Sequence, residues 1–210
     1  MEILHVGATG LVGSLVLPRL LAAPQVSRVV APTRTPLPFA DPRLVNPVVD
    51  FEALPTDAAW WQVDAVVCTL GTTMANAGSR EAFRRVDLDY PLEVARHARL
   101  HGAQVFALNS AMGADPGSRV FYNRVKGELE AALDALGFPS LVLVRPGLID
   151  GERQERRPGE RAALVVSRAL RPLLPRGWRP SRAARIADAL VAGVLAPTPG
   201  RVLVEAAALA

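Results

Sequence analysis

The sequence predicts an α/β fold with a doubly wound, mostly parallel sheet and a small appended region near the C-terminus. Short apolar runs of strand length alternate with segments of helical periodicity along most of the chain. One central run, Ala65–Cys68, is apolar at every position, as expected for a strand that is buried on both faces. At 210 residues, of which 50% are hydrophobic and 21% charged, the chain has the size and composition of one globular domain. We therefore expect a single domain over residues 1–210.

Changes of periodicity and turn signals bound each predicted element. The predicted strands are Ile3–Val6, Val26–Ala31, Leu44–Val49, Val63–Leu70, Gln104–Leu108, Leu141–Val144 and Arg201–Glu205. The predicted helices are Leu11–Ala22, Glu81–Leu100 (one long helix or two joined ones) and Tyr122–Leu136. Between the second and third strands, five prolines predict an irregular crossover in place of a full helix: Pro32, Pro36, Pro38, Pro42 and Pro47.

A glycine-rich turn links the first predicted strand to the first predicted helix. Gly7 permits a tight turn out of the strand, Gly10 lets the backbone approach a pyrophosphate, and Gly13 lets the helix pack close to the sheet. The helix N-terminus offers free N–H groups and a favourable dipole to the anion. This strand–turn–helix context predicts a dinucleotide-binding Rossmann fold, although a purely structural turn also favours glycine. The predicted cofactor contacts in this turn are Gly7, Thr9, Gly10, Leu11, Val12 and Gly13.

Residues that follow the next strands indicate which dinucleotide is bound. The second strand leads to Arg34, where an acid would bind the ribose 2′-hydroxyl of NAD. A guanidinium there can pair with a 2′-phosphate, so NADP(H) is predicted and NAD(H) is the less favoured alternative. The other interpretation of Arg34 is a surface arginine beside a proline-rich loop. Asp50 is placed to cap the adenine amino group. The segment after the fourth strand, where a small residue leaves room for the cofactor, adds the predicted contacts Leu70, Gly71 and Thr72.

Tyr122 and Lys126 form a YxxxK pair on the helix after the fifth strand. Four residues apart, they share one helix face, and an ammonium beside a phenol favours the phenolate. Such a tyrosine can donate or accept a proton at a carbonyl or alcohol oxygen. Ser110 ends the fifth strand and can hydrogen-bond the same oxygen. The alternative is a tyrosine and a lysine that simply lie on a helix surface.

These motifs together resemble the short-chain dehydrogenase/reductase superfamily, in its atypical branch, and most of all the Tat-interacting-protein-like oxidoreductases. The resemblance implies an NADP(H)-binding Rossmann fold with a Ser–Tyr–Lys site at Ser110, Tyr122 and Lys126. It also implies that Lys126 binds the ribose hydroxyls and that Arg145 and Pro146 lie by the nicotinamide. The segments that support it are Gly7–Gly13, Cys68–Thr73, Phe83–Tyr90, Asn109–Asp115, Phe121–Glu130 and Arg145–Gly151.

Other parts of the sequence exclude several kinds of protein. One cysteine, Cys68, and three scattered histidines give no metal site and no disulfide. The net charge of +4 comes from arginines that are spread along the chain, so no nucleic-acid partner is expected. No apolar stretch is long enough to span a membrane, and no leader precedes the first strand, so the cytoplasm is the expected location.

Three functions remain open on these residues. The preferred one is an NADP(H)-dependent oxidoreductase that acts on a carbonyl or alcohol of unknown identity, as a monomer or homodimer. The second is a non-catalytic NADP(H) sensor or interaction protein. The third is an anion binder centred on an arginine cluster that interleaved glutamates largely neutralise: Arg153, Arg156, Arg157 and Arg161. This cluster belongs to the appended region 151–180, for which a lid beside the substrate is expected, while Ala162–Leu174 is a pocket lid, a dimer contact or plain packing.

Overall fold

A computed structural model describes residues 1–150 and 179–210 and contains a seven-stranded sheet. The strand order is β3-β2-β1-β4-β5-β6-β9, and every paired strand in this sheet is parallel. A second, two-stranded parallel sheet joins β7 to β8. The strands are β1 (Glu2–Val6), β2 (Arg28–Val30), β3 (Leu44–Val45), β4 (Ala65–Cys68), β5 (Val105–Asn109), β6 (Ser140–Arg145), β7 (Ile149–Asp150), β8 (Ser181–Arg182) and β9 (Gly200–Glu205).

Helices connect the strands and cover both faces of the large sheet. Those of the described residues are α1 (Gly13–Ala22), α2 (Met74–Ala77), α3 (Arg80–Arg84), α4 (Tyr90–Leu100), α5 (Phe121–Ala135), α6 (Ala183–Leu195) and α7 (Ala206–Leu209). A π-helical turn over Arg85–Asp89 joins α3 to α4, and a 3₁₀ turn covers Ala59–Trp61. Because parallel strands need such crossovers, the alternation seen in the sequence dictates this two-faced architecture.

The alternation of side chains along each strand divides the core into two layers. On β1, Ile3 packs in the layer with α1 and α6, whereas Leu4 and Val6 pack in the layer with α4 and α5. All four residues of β4 are buried, as its uninterrupted apolar run predicted. These two apolar layers bury both faces of the sheet, and the loops that follow its strands lie at its carboxyl edge.

The predicted doubly wound α/β fold is confirmed, with local corrections. The proline-rich segment 31–43 contains no helix, as predicted. The third strand is shorter than Leu44–Val49, because the chain leaves the ladder after Val45 and returns only as a bridge between Thr33 and Val48. Helix α6 was not predicted, although its buried residues recur at helical spacing. The arginine cluster, Ala162–Leu174 and all but the end of the appended region lie outside the described residues.

Candidate active site

The carboxyl ends of the parallel strands bring the predicted site residues to one edge of the sheet. In an open parallel sheet, this edge, close to the point where strand order reverses, is where ligands bind. The reversal lies between β1 and β4, directly at the glycine-rich turn. The residues that follow the strands at this edge are Gly7–Gly13 after β1, Arg34 after β2, Asp50 after β3, Leu70, Gly71 and Thr72 after β4, Ser110 after β5, and Arg145 and Pro146 at the end of β6.

The three glycines of the turn have different structural roles. Gly7 has φ +87°, and a Cβ there would lie 2.6 Å from the backbone carbon of Thr69. A Cβ on Gly13 would overlap the carbonyl of Gly7 and lie 2.7 Å from the hydroxyl oxygen of Thr69. A Cβ on Gly10, by contrast, would meet only the carbonyl oxygen of Gly7 among the described residues, at 3.4 Å. Gly7 and Gly13 are therefore required by the fold, whereas Gly10 keeps the outer surface of the turn open.

The turn presents unused donors at the start of α1. Gly10 N–H donates to Gly7 and Ser14 N–H donates to Gly10. Within residues 1–150 and 179–210, the N–H groups of Leu11 and Val12 donate to no backbone carbonyl, and Val12 makes no side-chain cap. Unpaired N–H groups at a helix N-terminus form an anion site, so the turn fits the pyrophosphate of a dinucleotide.

Thr69 and His5 form hydrogen bonds at the start of this turn. The Thr69 hydroxyl lies 3.0 Å from the carbonyl oxygen of Val6 and 3.1 Å from that of Gly7. The Nε2 atom of His5 lies 3.3 Å from the same hydroxyl. Burial lowers the pKa of His5 to about 3, so the imidazole is neutral throughout the physiological range. His5 therefore adds no charge beneath the anion site in this range.

Arg34 and Asp50 lie beyond the ends of β2 and β3. Arg34 is exposed and forms no ion pair with any other described residue. Its guanidinium is thus available to an anion at the outer end of the site. Asp50 is exposed and accepts a hydrogen bond from the backbone N–H of Glu52 at 2.9 Å. Both residues therefore occupy the edge on which the sequence placed them.

Tyr122 lies in the first turn of α5, next to an aromatic contact from α3. The ring of Phe83 lies 5.6 Å from the ring of Tyr122 and 5.7 Å from that of Phe121. Tyr122 is partly buried, whereas Lys126, one turn further along the same face, is buried. Tyr122 and Lys126 are thus one turn apart on α5, the tyrosine nearer the surface and the lysine in the interior.

Lys126 is paired with a buried acid that the sequence analysis did not identify. Its Nζ lies 2.8 Å from Oδ1 of Asp87, in the π-helical turn, and the two side chains are 4% and 1% exposed. The second carboxylate oxygen accepts from the backbone N–H of Thr72 at 2.7 Å. Burial alone would lower the pKa of Lys126, but the attraction of Asp87 outweighs it and the pKa is raised. Gly71 lies against the pair, since a Cβ there would be 3.6 Å from Nζ.

Ser110 is held by a different buried acid. Its hydroxyl donates to Oε1 of Glu130, on α5, at 2.5 Å. The same carboxylate accepts from Arg145, at 3.0 Å from Nε and 2.6 Å from Nη2, and from Arg201 at 3.3 Å. The single proton of the Ser110 hydroxyl is thus given to Glu130 and not to Tyr122. Arg145 likewise points toward α5, while the adjacent Pro146 is buried and accepts through its carbonyl from the N–H of Met112.

Asp87 and Glu130 are the buried acids that sequence reasoning missed. Each is separated along the chain from the residue it binds, so no local spacing indicates the pairing. Glu130 lies four residues after Lys126 on α5, but its partners are Ser110, Arg145 and Arg201, which lie on other elements. Asp87 lies in the π-helical turn, 39 residues before its partner Lys126.

The chain has a Rossmann-type α/β fold, and the candidate site residues lie at the carboxyl edge of its sheet. Protein fmp52 of Emericella nidulans is 38% identical over 188 residues, which cover 82% of this chain and 78% of the relative. Protein HTATIP2 of Rattus norvegicus is 39% identical over 176 residues, covering 82% and 71%. The chain belongs to the Fmp52 and HTATIP2 family, which is the Tat-interacting-protein family that the sequence resembled. No family model matches the chain.

Solved structures show the same fold at low sequence identity. MoeE5 in complex with UDP-glucose and NAD gives a TM-score of 0.73 at 15% identity and covers 97% of this chain and 75% of that one. The UDP-glucose 4-epimerase of Thermus thermophilus in complex with NAD gives 0.68 at 17% identity, covering 98% and 78%. These likenesses confirm the Rossmann-type α/β fold.

The predicted cytoplasmic location is wrong. Relatives from Emericella nidulans, Aspergillus terreus and Aspergillus clavatus are named as mitochondrial proteins. The prediction relied on the lack of a targeting pattern, and such a lack specifies no compartment. Among the described residues, the helices are too short or too polar for any of them to cross a membrane.

Proposed function

We propose that the chain is an NADP(H)-dependent oxidoreductase that interconverts a carbonyl and an alcohol, with Tyr122 as the proton donor and acceptor. The observation that supports this most directly is the position of Tyr122 and the buried Lys126 one turn apart on α5, the helix that follows β5. Because fungal relatives are named mitochondrial, we place this activity in mitochondria.

The residues present fit a phosphorylated dinucleotide. The free N–H groups of Leu11 and Val12 suit its pyrophosphate, and the exposed Arg34 suits its 2′-phosphate. Gly71 places no side chain against Lys126, where a Cβ would lie 3.6 Å from Nζ, and Lys126 would hold the nicotinamide ribose. The cofactor, when bound, supplies or accepts the hydride.

The remaining chemistry comes from side chains of α5. In reduction, the hydroxyl of Tyr122 gives its proton to the substrate oxygen as that oxygen gains negative charge. Lys126 remains a cation, since its pKa is raised, and stabilises the phenolate that results. Solvent then returns a proton to Tyr122, which is only partly buried.

A non-catalytic NADP(H) sensor is the second candidate, and the state of Ser110 favours it. A hydroxyl that donates to Glu130 has no proton left for a substrate oxygen. The site then polarises a carbonyl through Tyr122 alone, which is weaker than two donors.

NADPH oxidation, followed at 340 nm against a panel of aldehydes, ketones and quinones, separates the two functions. The oxidoreductase predicts turnover of at least one member of the panel, with matched consumption of NADPH and carbonyl. Tight NADPH binding with no turnover across the panel would contradict the enzyme and favour the sensor. Failure to bind either NADPH or NADH would contradict both.

We expect NADPH to bind about 10- to 100-fold more tightly than NADH, because a charge-assisted bond to the 2′-phosphate contributes about 1.5–3 kcal/mol. Arg34→Glu should remove this preference while leaving the affinity for NADH nearly unchanged. Fluorescence titration of both cofactors measures it, and Arg96→Glu, an equal charge change at an exposed site on α4, is the control. Equal affinities in the parent chain, or a preference that survives Arg34→Glu, would refute the assignment.

A further inference from the structure

The buried ion pair behind Tyr122 has no net charge. Lys126 and Asp87 are in contact at 2.8 Å and both are almost fully excluded from solvent. The hydrogen bond from Thr72 N–H fixes the carboxylate in place. Two opposite unit charges at this separation act on a third group as a dipole. The electrostatic potential of a dipole decreases faster with distance than the potential of a lone ammonium.

The other charged groups on the elements around Tyr122 are paired or solvent-accessible among the described residues. Of the charged side chains on the elements packed against it, those that are buried are Asp87, Lys126 and Glu130, and Glu130 is compensated by Arg145 and Arg201. Cys68, which faces Lys126 from β4, has its pKa raised to about 12 by burial and is neutral. The others are solvent-screened: Arg80, Glu81, Arg84, Arg85 and Asp89 on α3 and the π-helical turn, Asp115 and Arg119 in the loop before α5, and Arg124, Glu128 and Asp134 on α5.

We propose that Asp87 is a positioning residue that offsets the charge of Lys126 and so limits how strongly Lys126 favours the phenolate form of Tyr122. This inference rests on the proposed function. In reduction, the bound cofactor would supply a hydride to the carbonyl carbon, and Tyr122 gives its proton to the oxygen and is then reprotonated by solvent. Oxidation is the reverse of these steps and begins from the phenolate.

The chain contains two tyrosines, so the ionisation of Tyr122 can be measured directly. In a Tyr90→Phe background, tyrosinate absorbance near 295 nm reports Tyr122 alone. Tyr90 is a suitable residue to remove, because its hydroxyl bonds Glu52 and not the Lys126–Asp87 pair. The measurement needs neither substrate nor turnover.

In this background, Asp87→Asn should lower the pH midpoint of tyrosinate formation by about one unit, since Lys126 loses its counterion and the phenolate replaces it. A midpoint that is unchanged or raised would overturn the proposal. Lys126→Met leaves the charge of Asp87 without its counterion and should raise the pH midpoint of tyrosinate formation by a similar amount. This variant provides a second test if circular dichroism shows that Asp87→Asn is unfolded. An unchanged midpoint in a folded Lys126→Met would also overturn it.

Combining the two changes separates charge from packing. With both charges removed, the midpoint should return to within a few tenths of a pH unit of the Tyr90→Phe parent. A double variant that keeps the full shift of either single variant would show that repacking causes the shift, against the proposal. The titration also stands apart from the proposed function: a chain that never oxidises NADPH can still show these shifts, and an active enzyme can fail to show them.

Discussion

Tyr122→Phe should lower the rate of NADPH-dependent carbonyl reduction by about two to four decades, the usual contribution of general acid–base catalysis. The change removes only the phenolic oxygen, while the ring contact with Phe83 and the helix remain. NADPH affinity should change little, because the proton is transferred only in the transition state. Steady-state rates with any substrate found in the panel, together with a cofactor titration, measure both quantities.

A matched variant at the other tyrosine sharpens this experiment. Tyr90→Phe removes a hydroxyl that bonds an exposed glutamate, Glu52, and should leave the rate within about twofold of the parent chain. If Tyr122→Phe reduces carbonyls at the parent rate, the acid–base role assigned to Tyr122 is wrong. A loss of NADPH binding equal to the loss of rate would instead assign Tyr122 to the cofactor site.

The second large effect is expected in the glycine turn, where neighbouring glycines should respond in opposite ways. Gly10→Val should leave the chain folded, since a Cβ meets only an ordinary contact there, but should weaken NADPH binding by about a hundredfold or more. The valine side chain would occupy the outer surface of the turn and prevent the pyrophosphate from accepting hydrogen bonds from the N–H groups there. Each such charge-assisted hydrogen bond contributes about 1.5–3 kcal/mol.

Gly13→Val should instead destabilise the fold. A Cβ at this position overlaps the carbonyl of Gly7, which is backbone and cannot rotate away, so the loss should exceed the usual 1–3 kcal/mol or so of an overpacked core. Urea unfolding and circular dichroism compare the two variants, and cofactor titration follows for any that fold. A folded Gly10→Val chain that binds NADPH normally would make the turn structural only, and a stable Gly13→Val chain would contradict the packing described here.

Local sequence determined the fold class and the edge of the sheet at which the candidate site residues lie. Ala65–Cys68 is uniformly apolar, so it forms a strand buried on both faces, and parallel strands with helical crossovers follow from the alternation around it. The spacing of Gly7, Gly10 and Gly13 and the four-residue step from Tyr122 to Lys126 are short-range patterns, and the structure places both at the carboxyl edge of the sheet. Helix α6 could also have been predicted from local sequence, because its buried residues recur every three or four positions.

Only the tertiary structure decided how the site is charged. Lys126 meets Asp87 from a turn about forty residues earlier in the chain. Ser110, twenty residues before Glu130, gives its proton to that carboxylate. Sequence spacing predicts contacts within one helix or strand, whereas these pairings depend on how α5 packs against the π-helical turn and the end of β5. A buried charge destabilises the fold unless an oppositely charged or hydrogen-bonding group lies next to it. Which group lies there depends on how elements distant in sequence pack together.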